Sequence, residues 1–246
     1  MTRWKLIIEY DGGKFVGWQR QDNGKSVQQT IEEAVFGFAQ EQVNVFGAGR
    51  TDSGVHALGQ VAHFDLVRDA DPETVRDALN FHLKTVPITV LEVEAVDQGF
   101  HARFSAIHRH YRYRILNRRS PPAVERGHVW HIPVELDWRA MHKAGESLIG
   151  RHDFTSFRAA VCQAESPVKT LDKLTVGRND DEIIVEAGAR SFLHNQVRII
   201  VGTLRLVGAG KWGAMDIREA LDACDRTRAG PTAPPDGLYL TRVDYR

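Results

Sequence analysis

Hydrophobic positions in the first hundred residues recur at two periods, one typical of strands and the other of helices. Strands are predicted over residues 3–10, near 43–49, over 57–66 and in the run ITVLEVEAV that follows Pro87. Ser26 begins a helix and forms a capping box with Gln29. Asp71 begins a second helix as its N-cap, with Pro72 in the first turn. This order, β-α-β-β-α-β, is that of the ferredoxin-like unit.

The second half of the chain repeats this order of elements without repeating the sequence. Strands are predicted over about 107–117, 168–177, 182–190 and 237–245. Asp137 begins a helix, a longer amphipathic helix covers about 194–207, and a short helix lies near 216–224. We therefore predict an α+β fold of two ferredoxin-like (RRM-like) halves, residues 1–105 and 106–246.

Two connections, residues 11–25 and 150–168, are more polar and longer than a turn requires. Connections of this length are typically functional, so we predict that both are functional loops. The proline- and glycine-rich stretch 230–237 is predicted to be a third loop, close to the C-terminus.

The composition is that of a soluble globular protein. The chain has 246 residues, of which 42% are hydrophobic and 26% are charged, and no apolar run has the length of a membrane span. Met1 to Tyr10 carries charges and does not have the pattern of a signal peptide. Cys162 and Cys224 are far apart and form no CxxC motif, which argues against disulfides or a thiolate metal site and favours a cytoplasmic location.

The charges are balanced overall but unevenly distributed. The chain has 32 basic and 32 acidic residues, so net charge gives no indication of a nucleic-acid partner. Residues 101–119, however, contain six arginines and three histidines and no acidic residue. Tyrosines alternate with the arginines, which adds stacking surfaces to groups that bind phosphate. The alternative is a solvated strand face, but the length and the aromatic residues favour RNA binding.

Six motifs follow one another along almost the whole chain. The three longest are GAGRTDSGVHALGQVAHF at 47–64, FHARFSAIHRHYRYRILN at 100–117 and FLHNQVRIIVGTL at 192–204. The others are YDGGKFVGWQRQ at 10–21, HDFTSF at 152–157 and GLYLTRVDY at 237–245. In these motifs and in their order the chain resembles the TruA family of tRNA pseudouridine synthases.

The resemblance implies a fold and an activity. The fold is the pseudouridine synthase fold, with the two ferredoxin-like halves around a central basic cleft, and the protein acts as a homodimer. The activity is isomerisation of uridine to pseudouridine at positions 38, 39 and 40 of the tRNA anticodon stem-loop. Neither a metal ion nor an organic cofactor takes part.

The resemblance also assigns the site. Asp52 is the catalytic residue, expected as a nucleophile. The alternative is that its carboxylate stabilises positive charge on the ribose and removes a sugar proton, giving a glycal-like intermediate. Tyr111 matches the family's active-site tyrosine, which stacks on the flipped uracil and is a candidate acceptor of the C5 proton. Tyr113 lies on the same face of the predicted strand, so the choice between the two rests on the family.

Several arginines are predicted to complete the site. A buried carboxylate needs a cationic partner to stay ionised, and Arg198 is the best candidate for Asp52. Arg198 shares a helix face with Gly202, which would let another segment approach that face closely. The residues predicted to bind the RNA substrate are Arg50, Arg103, Arg109, Arg112 and Tyr111.

Other interpretations of the same residues remain open. A lone aspartate among glycines is most often a turn former. His56 and His63 are conceivable metal ligands, although no third ligand follows at a clear spacing. The rival functions are an RNA-binding protein without catalysis and a metal-dependent nuclease that uses Asp52 and nearby histidines.

Overall fold

The computed structural model describes residues 1–160 and 162–246. The polar connection 150–168 is therefore described except for Val161, which lies outside these residues. Within them, none of the helices combines the length and the apolar character that crossing a bilayer requires.

Ten strands and five α-helices form in the described residues, which confirms the mixed α+β class. In chain order they are β1 (Thr2–Tyr10), α1 (Val27–Ala39), β2 (Phe46–Gly47), β3 (His56–Leu66), α2 (Pro72–Leu83), β4 (Ile88–Val96), β5 (His108–Leu116), β6 (Trp130–His131), α3 (Trp138–Gly145), β7 (Gly150–Asp153), β8 (Val168–Asn179), β9 (Glu182–Ala189), α4 (Gln196–Gly208), α5 (Ala214–Asp222) and β10 (Leu238–Asp244).

The chain divides into two compact units. The first comprises Met1–Ile107 together with Tyr239–Arg246, and the second is His108–Leu238. The division predicted from the sequence, into functional halves of residues 1–105 and 106–246, stays a prediction. The two divisions differ mainly in the last strand, β10, which belongs almost wholly to the first unit.

The sheet of the first unit is centred on β3. Strand β1 pairs antiparallel with both β3 and β4, β2 pairs antiparallel with β3, and β10 pairs parallel with β3. Side chains of β1 at alternate positions, including Leu6 and Ile8, are fully buried, as expected for a strand with one face on the core. The predicted order β-α-β-β-α-β is found over β1 to β4, while the ferredoxin-like description stays an expectation.

In the second unit, β9 lies between β5 and β8, and β7 pairs with the far edge of β8. All of these pairs are antiparallel, whereas the short β6 runs parallel to β5. Every second residue of β9 from Ile183 to Ala189 is buried, which places the core on one face of the sheet. Helix α3 packs against β8 and α4.

Three helices begin where their capping residues predict. The Ser26 hydroxyl accepts a hydrogen bond from the Gln29 N–H at 3.2 Å. The Asp71 carboxylate accepts one from Thr74 at 2.9 Å, and the Asp137 carboxylate accepts one from Ala140 at 3.0 Å. Each bond satisfies an N–H group that the first helical turn leaves unpaired.

The short strands differ from the prediction. Strand β2 has two residues where about seven were predicted, and β6 and β7 were not predicted. Each exists because a longer strand pairs with it: β2 with β3, β6 with β5, and β7 with β8. Segments this short carry no alternation of their own from which a strand can be predicted.

Candidate active site

Asp52 lies in the loop between β2 and β3, and its side chain is half-buried. The loop contains a tight turn in which the Val55 N–H donates to the Asp52 carbonyl at 3.1 Å. Before the turn, the Ala48 N–H donates to the Val61 carbonyl at 2.7 Å, and the buried amide of Gln60 donates to the Gly49 carbonyl at 2.9 Å. Bonds to the first unit's sheet therefore hold the residues that precede Asp52. The bond from Val55 to Asp52 closes a turn, as the turn-former interpretation of Asp52 expects.

The polar connection 11–25 holds the same loop from its other side. The Trp18 N–H donates to the Thr51 carbonyl at 3.0 Å, and the Ser53 hydroxyl donates to the Phe15 carbonyl at 3.1 Å. Gly17 has φ +114°, and a Cβ there would lie 2.8 Å from the Thr51 carbonyl oxygen. Only glycine accommodates both the conformation and the contact. The connection 11–25 thus immobilises the residues on both sides of Asp52.

One side-chain hydrogen bond reaches the loop from the sheet. The hydroxyl groups of Tyr10 and Thr51 are 2.7 Å apart, and both residues are buried. Tyr10 is the first residue of the motif YDGGKFVGWQRQ, and the sequence indicates no role for it. Nothing in the sequence pattern distinguishes it from an ordinary inward-facing strand residue, because its partner is 41 residues further along the chain.

Both histidines of the Asp52 motif are core residues with backbone partners. The His56 Nδ1 accepts a hydrogen bond from the Gly12 N–H at 3.1 Å, and its ring stacks on Tyr239. The His63 Nδ1 accepts from the Ala102 N–H at 3.2 Å. Burial, with a contribution from neighbouring positive groups, lowers the pKa of His63 to about 4, so its ring is neutral at pH 7. These contacts give each ring a structural partner, and the Asp11 carboxylate also lies 3.0 Å from the His56 Nδ1.

Burial separates the two tyrosines that strand alternation placed on one face of β5. Tyr113 is 0% exposed, and its hydroxyl donates to the Pro234 carbonyl at 2.8 Å. Burial raises the pKa of this hydroxyl despite the opposing effect of Arg198. Tyr111 is partly exposed, and its ring meets Phe192 edge to face with centroids 5.1 Å apart. Of the two, only Tyr111 has a surface that a ligand can reach.

Arg198 lies on α4 and is fixed by its neighbours. Its Nε donates to the Ala233 carbonyl at 2.8 Å, and its Nη1 donates to the Asn195 side chain at 2.9 Å. The Ala233 carbonyl directly precedes the Pro234 carbonyl that accepts from Tyr113. One short segment of the predicted loop 230–237 thus ties β5 to the part of α4 that carries Arg198.

Gly202 allows this loop to reach α4, as its position on the Arg198 face predicts. A Cβ on Gly202 would lie 1.8 Å from the Pro231 carbonyl oxygen, far inside van der Waals contact. The Gly230 N–H also donates to the Thr203 hydroxyl at 3.0 Å. The loop therefore rests directly on the helix backbone at Gly202 and Thr203.

We expect Gly202→Ala to destabilise the protein by about 1–3 kcal/mol or more, because backbone atoms must move to admit the methyl group. Urea unfolding measures the change. The matched control is Gly177→Ala on β8, where an added Cβ has no atom within 4 Å in the described structure; this variant should stay within about 0.5 kcal/mol of wild type. Equal effects of the two substitutions would contradict the close approach.

The arginines of the basic stretch are less available than the sequence indicated. Arg112 lies opposite Glu186 on β9 and pairs with its carboxylate at 3.4 Å. Arg114 pairs with Glu125 and Glu182. An RNA phosphate at Arg112 must therefore compete with Glu186. Arg109, on the other face of β5, donates to the Arg190 carbonyl at 2.6 Å.

The two remaining arginines lie at the surface of the first unit. Arg50 is exposed, two residues before Asp52. Arg103 is also exposed, and its guanidinium carbon lies 5.7 Å from the ring centre of Phe104, a side chain that is itself 76% exposed. Asp52, Arg50 and Arg103 belong to the first unit, whereas Arg109, Tyr111, Arg112 and Arg198 belong to the second.

Comparison with known proteins gives full-length matches. A sequence model of the tRNA pseudouridine synthase family matches residues 6–105 and 144–246. The tRNA pseudouridine synthase A of Rhodospirillum centenum is 60% identical over 245 residues, and the match covers 100% of both chains. The protein of the same name in Parvibaculum lavamentivorans is 56% identical with the same coverage. That of Rhodospirillum rubrum is 58% identical over 100% of this chain and 88% of its own.

Proposed function

Because the chain belongs to the tRNA pseudouridine synthase family and is therefore an isomerase, we propose that it acts at positions 38, 39 and 40 of the anticodon stem-loop, with Asp52 as its catalytic residue. The observation that carries the assignment of Asp52 is the loop that holds it. Residues on both sides of Asp52 are bonded to the sheet or to the connection 11–25. A group that acts on one sugar carbon needs this degree of fixation.

The reaction requires one bond to break, the base to turn and another bond to form. The bond from N1 of uracil to C1′ of ribose breaks, C5 takes the place of N1, and the C5 proton leaves. No electrons are gained or lost overall, so the chemistry requires no redox cofactor. The Asp52 carboxylate acts on the sugar as a nucleophile, or as the base that gives a glycal-like intermediate. In both routes it acts in its ionised form.

Tyr111 and Arg198 complete the proposed site. The exposed face of Tyr111 stacks on the flipped uracil, and its hydroxyl is the candidate acceptor of the C5 proton. The guanidinium of Arg198 is held in one orientation by Ala233 and Asn195. We place it as the cation that keeps Asp52 ionised.

We also propose which arginines bind the RNA. Arg50, Arg103 and Arg109 bind the tRNA backbone, and Arg112 does so in competition with Glu186. A cytoplasmic location and a homodimer also belong to the proposal; the first is supported by the two separated cysteines and the second by the family resemblance.

Release of tritium from tRNA tests the proposed target. A transcript labelled at C5 of its uridines should release label to water while its chain stays intact. The same transcript with cytidine at positions 38, 39 and 40 should release none. Release from the substituted transcript would contradict the target positions. Chain cleavage would indicate a nuclease, and binding without release would indicate an RNA-binding protein.

We expect Arg198→Ala to lower turnover by about 10²–10³-fold, the usual effect of removing one preorganised charge from a site. The control is Arg218→Ala, because Arg218 is exposed on α5 and pairs only with Asp222 among the described residues. Full activity of Arg198→Ala would remove Arg198 from the proposed site.

A further inference from the structure

We infer that Tyr10 is a positioning residue for the reaction: through its hydrogen bond to Thr51, its hydroxyl holds Asp52 in the orientation in which the carboxylate reacts. This inference rests on the proposed catalytic role of Asp52. Tyr10 itself touches neither substrate nor reacting atoms in this scheme, and its effect passes entirely through Thr51.

The phenol of Tyr10 is held rigidly in place. Tyr10 is the last residue of β1 and pairs with Ala57 on β3 and with Ile88 on β4. It is 3% exposed, and its ring lies beside that of the buried Trp18. Strands on both sides therefore fix the backbone of Tyr10, and the packed ring fixes its hydroxyl.

Thr51 passes this constraint to Asp52. Its hydroxyl lies 2.7 Å from that of Tyr10, and its carbonyl accepts the Trp18 N–H at 3.0 Å. The carbonyl belongs to the peptide that joins Thr51 to Asp52, so both bonds limit rotation of that peptide. A β-branched side chain has few χ1 rotamers, and the bond to Tyr10 selects one of them. The peptide that leads into Asp52 is thereby held in place.

Stability alone does not require this polar pair. Thr51 is 6% exposed, and each hydroxyl satisfies the other in a place from which water is excluded. Replacing both partners of such a bond with apolar groups of similar shape is often nearly neutral for stability, whereas removing only one leaves a buried polar group unpaired. A hydrogen bond fixes the direction of the two hydroxyl groups, whereas contact between two apolar groups fixes no direction.

The test compares Tyr10→Phe, Thr51→Val and the double variant, with Thr51→Ser as the conservative variant that retains a hydroxyl. Single-turnover tritium release at saturating enzyme gives the rate constant, filter binding gives the tRNA Kd, and urea unfolding gives the stability. All rates are measured well below every melting temperature. We expect each single variant to lose about 10–100-fold in rate, the effect of a displacement of about 1 Å, with Kd changed less than about threefold.

The double variant separates positioning from stability. Its stability should return towards that of wild type because no buried hydroxyl remains unpaired, while its rate should stay as low as in the single variants. Thr51→Ser should keep most of the rate. A double variant whose rate recovers together with its stability would overturn the inference, and so would single variants with wild-type rates.

Asp52→Asn, assayed in parallel, distinguishes failure of the inference from failure of the proposed function. An inactive Asp52→Asn beside fully active Tyr10 and Thr51 variants would remove only the positioning role. An active Asp52→Asn would remove the proposed catalytic role, and the positioning role with it.

Discussion

Asp52→Asn is expected to lower turnover by at least about 10⁴-fold, the order of effect found when an enzyme loses its central catalytic group. The substitution keeps the size of the side chain and removes its charge, so it can neither attack the sugar nor act as a base. The loop should keep its shape because the bonds that Tyr10, Trp18 and Phe15 form with Thr51 and Ser53 do not depend on the Asp52 carboxylate. Single-turnover tritium release measures the rate.

Two controls accompany this prediction: the affinity of the variant for tRNA, and the same substitution at another aspartate. The tRNA Kd of Asp52→Asn should stay within about threefold of wild type, because phosphate contacts supply most of the affinity. Asp69→Asn makes the same chemical change at an exposed position and should leave the rate unchanged. Residual activity of Asp52→Asn within tenfold of wild type would mean that another group is essential.

Tyr111→Phe and Tyr111→Ala should separate the two roles proposed for this side chain. Phenylalanine keeps the ring and removes the hydroxyl, so binding should persist while turnover falls by about 10²–10⁴-fold, the usual contribution of general-base assistance. Alanine also removes the stacking surface, which should weaken binding of the flipped state by about 1–3 kcal/mol. Tritium release beside tRNA binding, for both variants, measures the two effects.

The neighbouring tyrosine supplies the control. Tyr113→Phe leaves the Pro234 carbonyl without its donor, so it should cost about 1–3 kcal/mol of stability and leave turnover within a few-fold of wild type. A Tyr111→Phe variant with near wild-type turnover would remove the proton-transfer role and retain stacking. A fully active Tyr111→Ala would remove both roles.

Features that depend on neighbouring residues in the chain were predictable from the sequence. The starts of α1, α2 and α3 follow from Ser26, Asp71 and Asp137, because a capping side chain bonds an N–H only two or three residues away. The apolar period likewise predicted the helix over about 194–207 that the structure contains as α4, although burial there extends around most of the helix and not along one face alone. The motif around Asp52 was recognised because its glycines and polar residues are contiguous.

Features that depend on strand pairing were not predictable in this way. Parallel pairing of β10 with β3 joins residues 183 positions apart, such as His56 and Tyr239, and no local pattern specifies a partner so distant. The pairing of Arg112 with Glu186, a carboxylate that also pairs with Lys173, is of the same kind. The segment of Arg112 itself contains no acidic residue, and Glu186 lies opposite Arg112 only because of the register between β5 and β9.

The sequence by itself determined the family, the order of the helices and the longer strands, and the candidacy of Asp52, since each is carried by adjacent or periodically spaced residues. Only the tertiary structure distinguished Tyr111 from Tyr113 by exposure. Alternation places both on one face of β5, but Tyr113 is fully buried and bonds to the Pro234 carbonyl, 121 residues away, whereas Tyr111 is partly exposed. The tertiary structure also identified Tyr10 as a neighbour of Thr51, because a hydrogen bond between residues 41 positions apart exists only once the sheet has formed.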